Sequence, residues 1–573
     1  MGQNIGSAAQ RCASQCSRDD LNNAENPSEA DFEIAGQEPG TVSVLTWNVA
    51  AVNNNPFEYW ISMADPLYMN LMVGVEKMLS DPGENDKKVN DVFTEDMFRD
   101  LKTLLMSNDI SGMEEVEEKM WRGGDLHLRD RRIISDFVKD PSLGAKRLIS
   151  MPDRVTNTIN VVTKKASVFK PPPVCRPAVI NNYDRDLGTL EDWWEAWKAF
   201  MFRDPLVIRT RSGSVSARPV EMLEPIPRSK YPSITEDEER LAYPLQILCL
   251  AIFDAIMVFM MNYLSPDGGW MNVKKRIMDS LYKQKAARQL AILEGVYAGI
   301  DVYCLQEVAA TFHDSFESSA LAETHTFVLP QHLDGKRDQN SIVVLRKGVF
   351  EVESVIEVTD QVVAHFPQKY KLADGDLLAI TFTGAGKLAA EDGTERNYMV
   401  VSFHGDTDGL LTGPVLQAVD EVVRDEFPGH ILLLGFDANL YIEEKGAKIT
   451  LPKFMQTAKQ LGYTSCFGDD PDPKQCRTTC NARTFLQPQL NKAIRYEDRV
   501  QHGDSNPKDI ILFKSWQLQI VADSSHSALN PMKDNTGKLE YLEDTIFPSL
   551  EFPSDHAVVA ALLKMKPKDF TIV

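Results

Sequence analysis

The sequence predicts a mixed α/β chain in which packed β-sheets are interrupted by a long helical stretch. Three observations carry that prediction. Short apolar runs between turn residues recur from residue 301 onward, the texture of strands in packed sheets. Residues 54–240 carry mixed helical patterns and prolines instead. The composition is that of a folded chain: of 573 residues, 43% are hydrophobic and 25% charged. Those proportions disfavour collagen, a disordered chain and a polytopic membrane protein.

Taken in order, residues 1–40 read as a flexible tail, acidic and small from Asp19 to Gly40. Gly2 would lead the chain after Met removal and could take a myristoyl group, although Gly6 stands where Ser or Thr is common. One acyl chain anchors weakly, so Cys12 and Cys16, beside Arg11 and Arg18, would supply palmitate as the second signal. A plain tail that begins with Gly carries the same letters. Residues 1–40 hold no apolar leader, and 8 cysteines are few for this length. A reduced, cytoplasmic protein is expected, peripheral on the cytoplasmic face of a membrane if acylated.

Val42-Ser43-Val44-Leu45-Thr46-Trp47 alternates as a strand does and ends at Asn48, so residues 41–53 form the first strand and first motif. Within 54–273, Phe98–Leu105 and the trio Trp193, Trp194, Trp197 have helical spacing, and Pro171-Pro172-Pro173 breaks the pattern. The tryptophans read as core. Residues 241–264 are apolar almost throughout, but Asp254 sits in the middle, at a cost of about 2.5–3.5 kcal/mol for membrane insertion. A buried core helix is the reading taken, with no integral membrane span. Ile277, Leu281, Leu290, Leu293 and Val296 fit one helical face. Strands are expected at Val302–Leu305, Ile342–Leu345, Leu377–Thr381, Tyr398–Phe403, Ile431–Leu434, Ile510–Phe513 and Leu518–Val521.

Polar residues stand where these strands end or begin: Asn48, Gln306-Glu307, His404, Asp437 with Asn439, Asp509, and Asp555-His556. Each alone can cap or turn. Together they make an inventory of carboxylates, carboxamides and histidines without a thiol. Oxygen donors of this kind suit Mg²⁺, Mn²⁺ or Ca²⁺ rather than zinc, and a His near an Asp can act as base or charged clamp. Metal-assisted hydrolysis of a phosphate ester is the natural reaction. The formal net charge of −22 offers no global attraction to nucleic acid or an anionic membrane, so any phosphate must be held locally. Arg477, Arg483 and Lys492, in a segment free of acids, could form such a patch or a solvated loop. Cys466, Cys476 and Cys480 lack a second matching pair, so a structural zinc is not expected.

The order Leu45-Thr46-Trp47-Asn48, Leu305-Gln306-Glu307-Val308, Phe403-His404, Asp437-Ala438-Asn439, Lys508-Asp509-Ile510-Ile511-Leu512 and Ser554-Asp555-His556 resembles the endonuclease/exonuclease/phosphatase (DNase-I-like) superfamily. The resemblance covers residues 42–53 and 301–573. It implies an α/β/β/α sandwich, four layers, with residues 274–573 completing the domain and 54–273 inserted as a mainly helical subdomain near the mouth of the site. It implies a Mg²⁺-dependent (or Mn²⁺-dependent) phosphoesterase acting on a lipid, nucleotide or nucleic-acid phosphate ester. Glu307 would be the main metal carboxylate with Asn48 beside it, and Asp555 could also reach the metal. Asp437 would orient the attacking water, Asn439 hold a phosphate oxygen, and His404 stabilise charge on phosphorus. Asp509 would be the acid on the leaving-group side. His556, paired with Asp555, would bind the scissile phosphate. Arg483 and Lys508 would bind substrate.

Three departures stand out. Phe436 occupies the place before Asp437 where the family has Gly, with Gly435 one earlier. His404 is followed by Gly405-Asp406-Thr407-Asp408-Gly409. Asn48 and Glu307 lie 259 positions apart. If residues 241–264 crossed a membrane once, those two could not share a metal. A nuclease or deadenylase is the alternative activity, and a non-catalytic scaffold of the same fold the alternative class.

Overall fold

The computed structural model describes residues 38–50, 55–124, 126–150, 175–181, 183–210, 213–334, 338–390, 394–487, 492–521 and 532–567. The acylation candidates Gly2, Cys12 and Cys16 and the run Pro171–Pro173 lie outside the described residues.

Two mixed sheets face each other. The first contains β1 (Thr41–Asn48), β4 (Val302–Val308), β5 (His325–Val328), β6 (Asn340–Arg346), β13 (Leu518–Ile520), β14 (Met532–Asp534) and β15 (Val558–Met565). Its order is β13-β15-β1-β4-β6-β5, with β14 beside β15. The second contains β7 (Ile356–Glu357), β8 (Leu377–Thr383), β9 (Asn397–His404), β10 (Ile431–Asp437), β11 (Tyr463–Ser465) and β12 (Asp509–Lys514), ordered β11-β12-β10-β9-β8-β7. In each sheet the central pair is parallel, β1 with β4 and β9 with β10, and the flanking pairings are antiparallel.

Side chains alternate across each strand, and the two faces of the second sheet feed two cores. Val400, Leu433 and Ile511 meet Val44, Val302 and Cys304 between the sheets. Val401, Leu434 and Phe436 face the other way, onto Val415, Val419 and Phe454 of the helices Thr412–Asp425 and Leu451–Gln460. Every expected strand is present, extended by one to three residues or shortened by one. The architecture is α/β, two stacked sheets flanked by helices.

Among the described residues between β1 and β4 the chain is mainly helical, interrupted by a hairpin of β2 (Leu206–Thr210) and β3 (Gly213–Ala217). The expected single helix after residue 274 is two, Gly269–Met278 and Lys285–Glu294, joined by a widened π turn at Asp279–Lys283. Val296 falls beyond the second.

The helix Ala242–Leu264 is buried on every face from Pro244 to Val258 and packs against the helices Pro66–Ser80 and Leu190–Lys198. Asp254, fully buried, accepts two hydrogen bonds from the Arg176 guanidinium, each of 2.6 Å, and one from the Trp197 indole at 3.1 Å. A charge in an apolar helix is tolerable only with such a partner. Trp193, Trp194 and Trp197 are buried and packed on one another.

Arg176→Met should therefore cost about 3–5 kcal/mol in urea unfolding, because it strands the Asp254 charge, while Arg176→Met with Asp254→Leu should recover most of that loss. Equal losses in the single and double variants would remove the ion pair from the explanation.

Candidate active site

Parallel central strands bring their C-terminal ends to one rim. Asn48 ends β1 in register with Gln306 of β4. His404 ends β9 in register with Asp437 of β10, and Asp437 pairs in turn with Asp509 at the start of antiparallel β12. His404, Asp437 and Asp509 thus form one row across three strands.

The two sheets touch closely at this end. A Cβ on Gly435 would lie 2.4 Å from the Cys304 Cβ, so only glycine fits there. Gln306, fully buried, projects its Nε2 between the sheets, 3.1 Å from the Gly435 carbonyl and 3.1 Å from the Ser402 hydroxyl. Phe436 turns away from this gap and packs edge-on against Phe403 under the helices. The glycine that the close approach needs is Gly435, so the bulk of Phe436 does not reach the rim.

Across the gap, Asn48 Nδ2 donates to Asp437 Oδ2 at 2.8 Å and to Glu307 Oε1 at 3.1 Å. Its Oδ1 accepts from the Ala50 N–H at 2.8 Å, which fixes the amide orientation. Asn48, expected beside Glu307 among the metal-holding residues, clamps two carboxylates through its amide nitrogen, and its oxygen keeps a second lone pair beyond the one that accepts from Ala50. Glu307 has a left-handed backbone, φ 56°, at a register shift between β4 and β6. Such a conformation costs a non-glycine residue about 1–3 kcal/mol, and the bulge re-aims the carboxylate over the rim. Gln339 Nε2 donates to its second oxygen at 3.0 Å.

Two histidines face these acids. His404 places Nε2 3.3 Å from Glu307 and 3.8 Å from Asp437, with Nδ1 3.5 Å from Asp376. Burial alone would lower its pKa, but Asp376 and Glu307 hold it well above the ordinary value. His556 Nδ1 lies 2.9 Å from Asp509 Oδ2 and 3.9 Å from Asp437. Burial again opposes the charge, and Asp509 and Asp437 override it, lifting the imidazole to about 10. The partner of His556 is therefore Asp509, not Asp555 as expected. The reason is local: Ser554 Oγ donates to the Asn48 carbonyl at 2.6 Å and accepts the His556 N–H, turning adjacent side chains apart. The indole of Trp47 donates to the His556 carbonyl at 2.9 Å.

Asp555 instead lies within reach of Asn481 Nδ2, 3.5 Å away. Asn439 has φ 48°, a conformation asparagine tolerates, and donates through Nδ2 to the Gly405 carbonyl at 3.0 Å. Its backbone N–H binds Asp437 Oδ1. Asp406 accepts from Leu411 N at 2.7 Å, so the segment after His404 is a turn built on that acid.

Glu307, His404, Asp437, Asn439, Asp555 and His556 border a groove of about 1670 Å³, whose walls also carry Lys371, Lys445, Lys448, Lys474 and Lys492 among acids that include Glu443, Glu497, Asp504 and Asp544. The expected substrate-binding residues line it too, each in an ion pair, Lys508 with Asp504 at 2.7 Å and Arg483 with Glu58 at 3.0 Å. Arg477 is tied to Glu543 and Asp544. Burial would lower the Lys508 pKa, yet Asp504 and Tyr441 raise it. Cys466, Cys476 and Cys480 are free and buried.

Could this rim hold a cation? Asp437, Asp509 and His556 offer atoms within 4.8 Å of one another. His556 and Asp509 form a hydrogen-bonded pair, with Asp437 3.9 Å from the same imidazole nitrogen. The carboxylates of Glu307 and Asp555 supply oxygen donors alone, the set that fits a hard divalent cation.

Compared with known proteins, residues 86–275 match a family model described as Domain of unknown function (DUF8234). No match was found among curated proteins. Among solved structures the chain is similar to D. rerio TDP2 complexed with single strand DNA product, at 13% identity, covering 50% of this chain and 96% of that one, with a TM-score of 0.31. It is similar to the human Nocturnin catalytic domain with bound sulfate anion, at 14% identity, 49% and 86% coverage and a TM-score of 0.29. A third likeness is to an endonuclease/exonuclease/phosphatase family protein from Bacteroides thetaiotaomicron, at 11% identity, 50% and 90% coverage and a TM-score of 0.30.

Sequence reading missed Asp376, Gln339, Thr478 and Tyr59. Asp376 and Gln339 immediately precede the antiparallel strands β8 and β6, whose starts share a rim with the ends of the parallel ones. Thr478 Oγ1 accepts both the Lys508 and Asp509 N–H groups at 3.0 Å, fixing the approach to β12.

Because its folded pKa is raised from 6.5 to about 10, the stability contributed by the His556 charge is complete below pH 6.5 and lost as pH rises through about 10. A nitrogen-15 NMR titration of EDTA-treated protein should show the His556 imidazolium persisting past pH 8. Asp509→Asn should bring its midpoint down. An imidazole already neutral at pH 7 would contradict the pairing.

Proposed function

We propose that this chain hydrolyses a phosphate ester with the help of a hard divalent cation, Mg²⁺ or Mn²⁺. The observation that carries the proposal is the meeting, at one rim, of carboxylates from both sheets with two histidines, His556 buried and His404 half-buried, that those acids favour in the charged form. That combination suits a reaction in which anionic charge builds on a phosphoryl group while a water is oriented for attack.

Glu307 and Asp555 offer the oxygens for the cation, which when bound supplies Lewis-acid stabilisation of phosphoryl charge. Gln339 and Asn48 hold Glu307 in place. Asp437, fixed by Asn48 and by the Asn439 backbone, orients the attacking water and takes its proton. Protonated His404 and His556 face the phosphoryl oxygens; His556 keeps Nε2–H for substrate because Nδ1–H is committed to Asp509. Asn439 retains a second amide hydrogen for a phosphoryl oxygen.

The lysines on the groove walls favour a particular form of this reading, an ester with an extended anionic arm such as a nucleic-acid strand. Residues near the N-terminus that could carry acyl groups would place the reaction at a membrane surface.

Purified protein should turn over at least one member of a panel of single-stranded RNA, DNA, sphingomyelin, phosphoinositides and small phosphate esters with Mg²⁺. EDTA should stop it, and Glu307→Gln or His556→Ala should each slow it by about 100- to 1,000-fold with the unfolding transition intact. Turnover indifferent to EDTA and to Glu307→Gln would refute the assignment.

A further inference from the structure

A second cavity, of about 290 Å³, adjoins the groove. Four residues line both spaces: Tyr59, Glu307, Gln339 and Asp555. The two cavities therefore meet at the carboxylates assigned to the cation, where the phosphorus would sit. Their linings differ in balance, the smaller one joining an apolar wall to a polar one. The second cavity is walled by Ile61, Ile277, Met278, Leu281, Pro548 and Pro553. Much of that wall comes from the stretch inserted between β1 and β4. Its charged residues are Glu58, Glu307 and Asp555 against a single Lys285. A second anionic group is unwelcome there, whereas in the groove on the other side lysines and arginines, Lys371, Lys448 and Lys474 among them, offset the acids.

We infer that this cavity is a subsite for a compact apolar ester group, alkyl or aryl, carried by the same phosphate whose anionic arm lies in the groove. The inference rests on the proposed phosphoesterase reading and names its substrate class: a mixed ester, apolar on one side of phosphorus and anionic on the other. The size is adequate, since a cavity of about 150 Å³ lined by aliphatic side chains already accepts benzene. Leu281, half-buried on the π turn, is the wall residue whose enlargement fills the space without touching the catalytic carboxylates.

Binding separates this inference from the reading beneath it. Methyl phosphate and cyclohexylmethyl phosphate are titrated calorimetrically into the full chain with Mg²⁺ present. The larger ester should bind at least about tenfold tighter, and in Leu281→Trp the two should bind alike. If Leu281→Trp loses its unfolding transition, Leu281→Phe serves and should shrink the preference. Equal affinities in the wild type would overturn the subsite and leave the catalytic reading standing. A preference undiminished by either Leu281 variant would also overturn it. Binding of neither ester would overturn both.

Discussion

The rim exists because two sheets approach closely at Gly435. A side chain there would collide with Cys304, and the space left by glycine lets Gln306 reach from one sheet to the backbone of the other. Without that contact Asn48 could not bridge Glu307 of its own sheet and Asp437 of the opposite one. The carboxylates would then sit as separate charges on separate strands. Drawn together they repel, and the structure offsets the repulsion with His404 and His556, whose pKa values those acids raise despite burial. The strained backbone of Glu307 belongs to the same arrangement: it persists because the surrounding sheet over-determines it.

How much of this was legible beforehand follows from strand direction. Parallel strands put their informative residues at the end, and Asn48, Glu307, His404 and Asp437 follow apolar runs that any reader of the chain would mark. Antiparallel strands bring their starts to the same rim. Asp376 and Gln339 precede β8 and β6, in loops that look ordinary until pairing is known. The match of His556 with Asp509 rather than Asp555 was also beyond the sequence, since it depends on Ser554 turning the backbone against the Asn48 carbonyl. Gln306 carried no sign of its bridging place; a buried carboxamide declares itself only when both sheets are present.

The stretch between β1 and β4 shows the limit of periodicity. An apolar run such as Ala242–Leu264 has no polar face to read, and its burial is settled by Arg176, far away in sequence, meeting Asp254. Reach into the site is settled in the same non-local way. Glu58 and Tyr59 come to Arg483 through a backbone pairing of Tyr59 with Arg483 in the groove wall. The match of residues 86–275 to a domain of unknown function falls within this stretch. The chain thus sets a helical body against one side of a rim built by two sheets.

The central claim is that residues from the two sheets act as one unit, and a kinetic double-mutant cycle tests it most directly. Asn48→Ala and Asp437→Ala, one from each sheet, are compared singly and together by kcat/KM on whichever ester the protein turns over. If Asn48 works by holding the Asp437 carboxylate, the double variant loses little more than the worse single variant. Losses that multiply, each variant acting as though the other residue were absent, would contradict a shared centre.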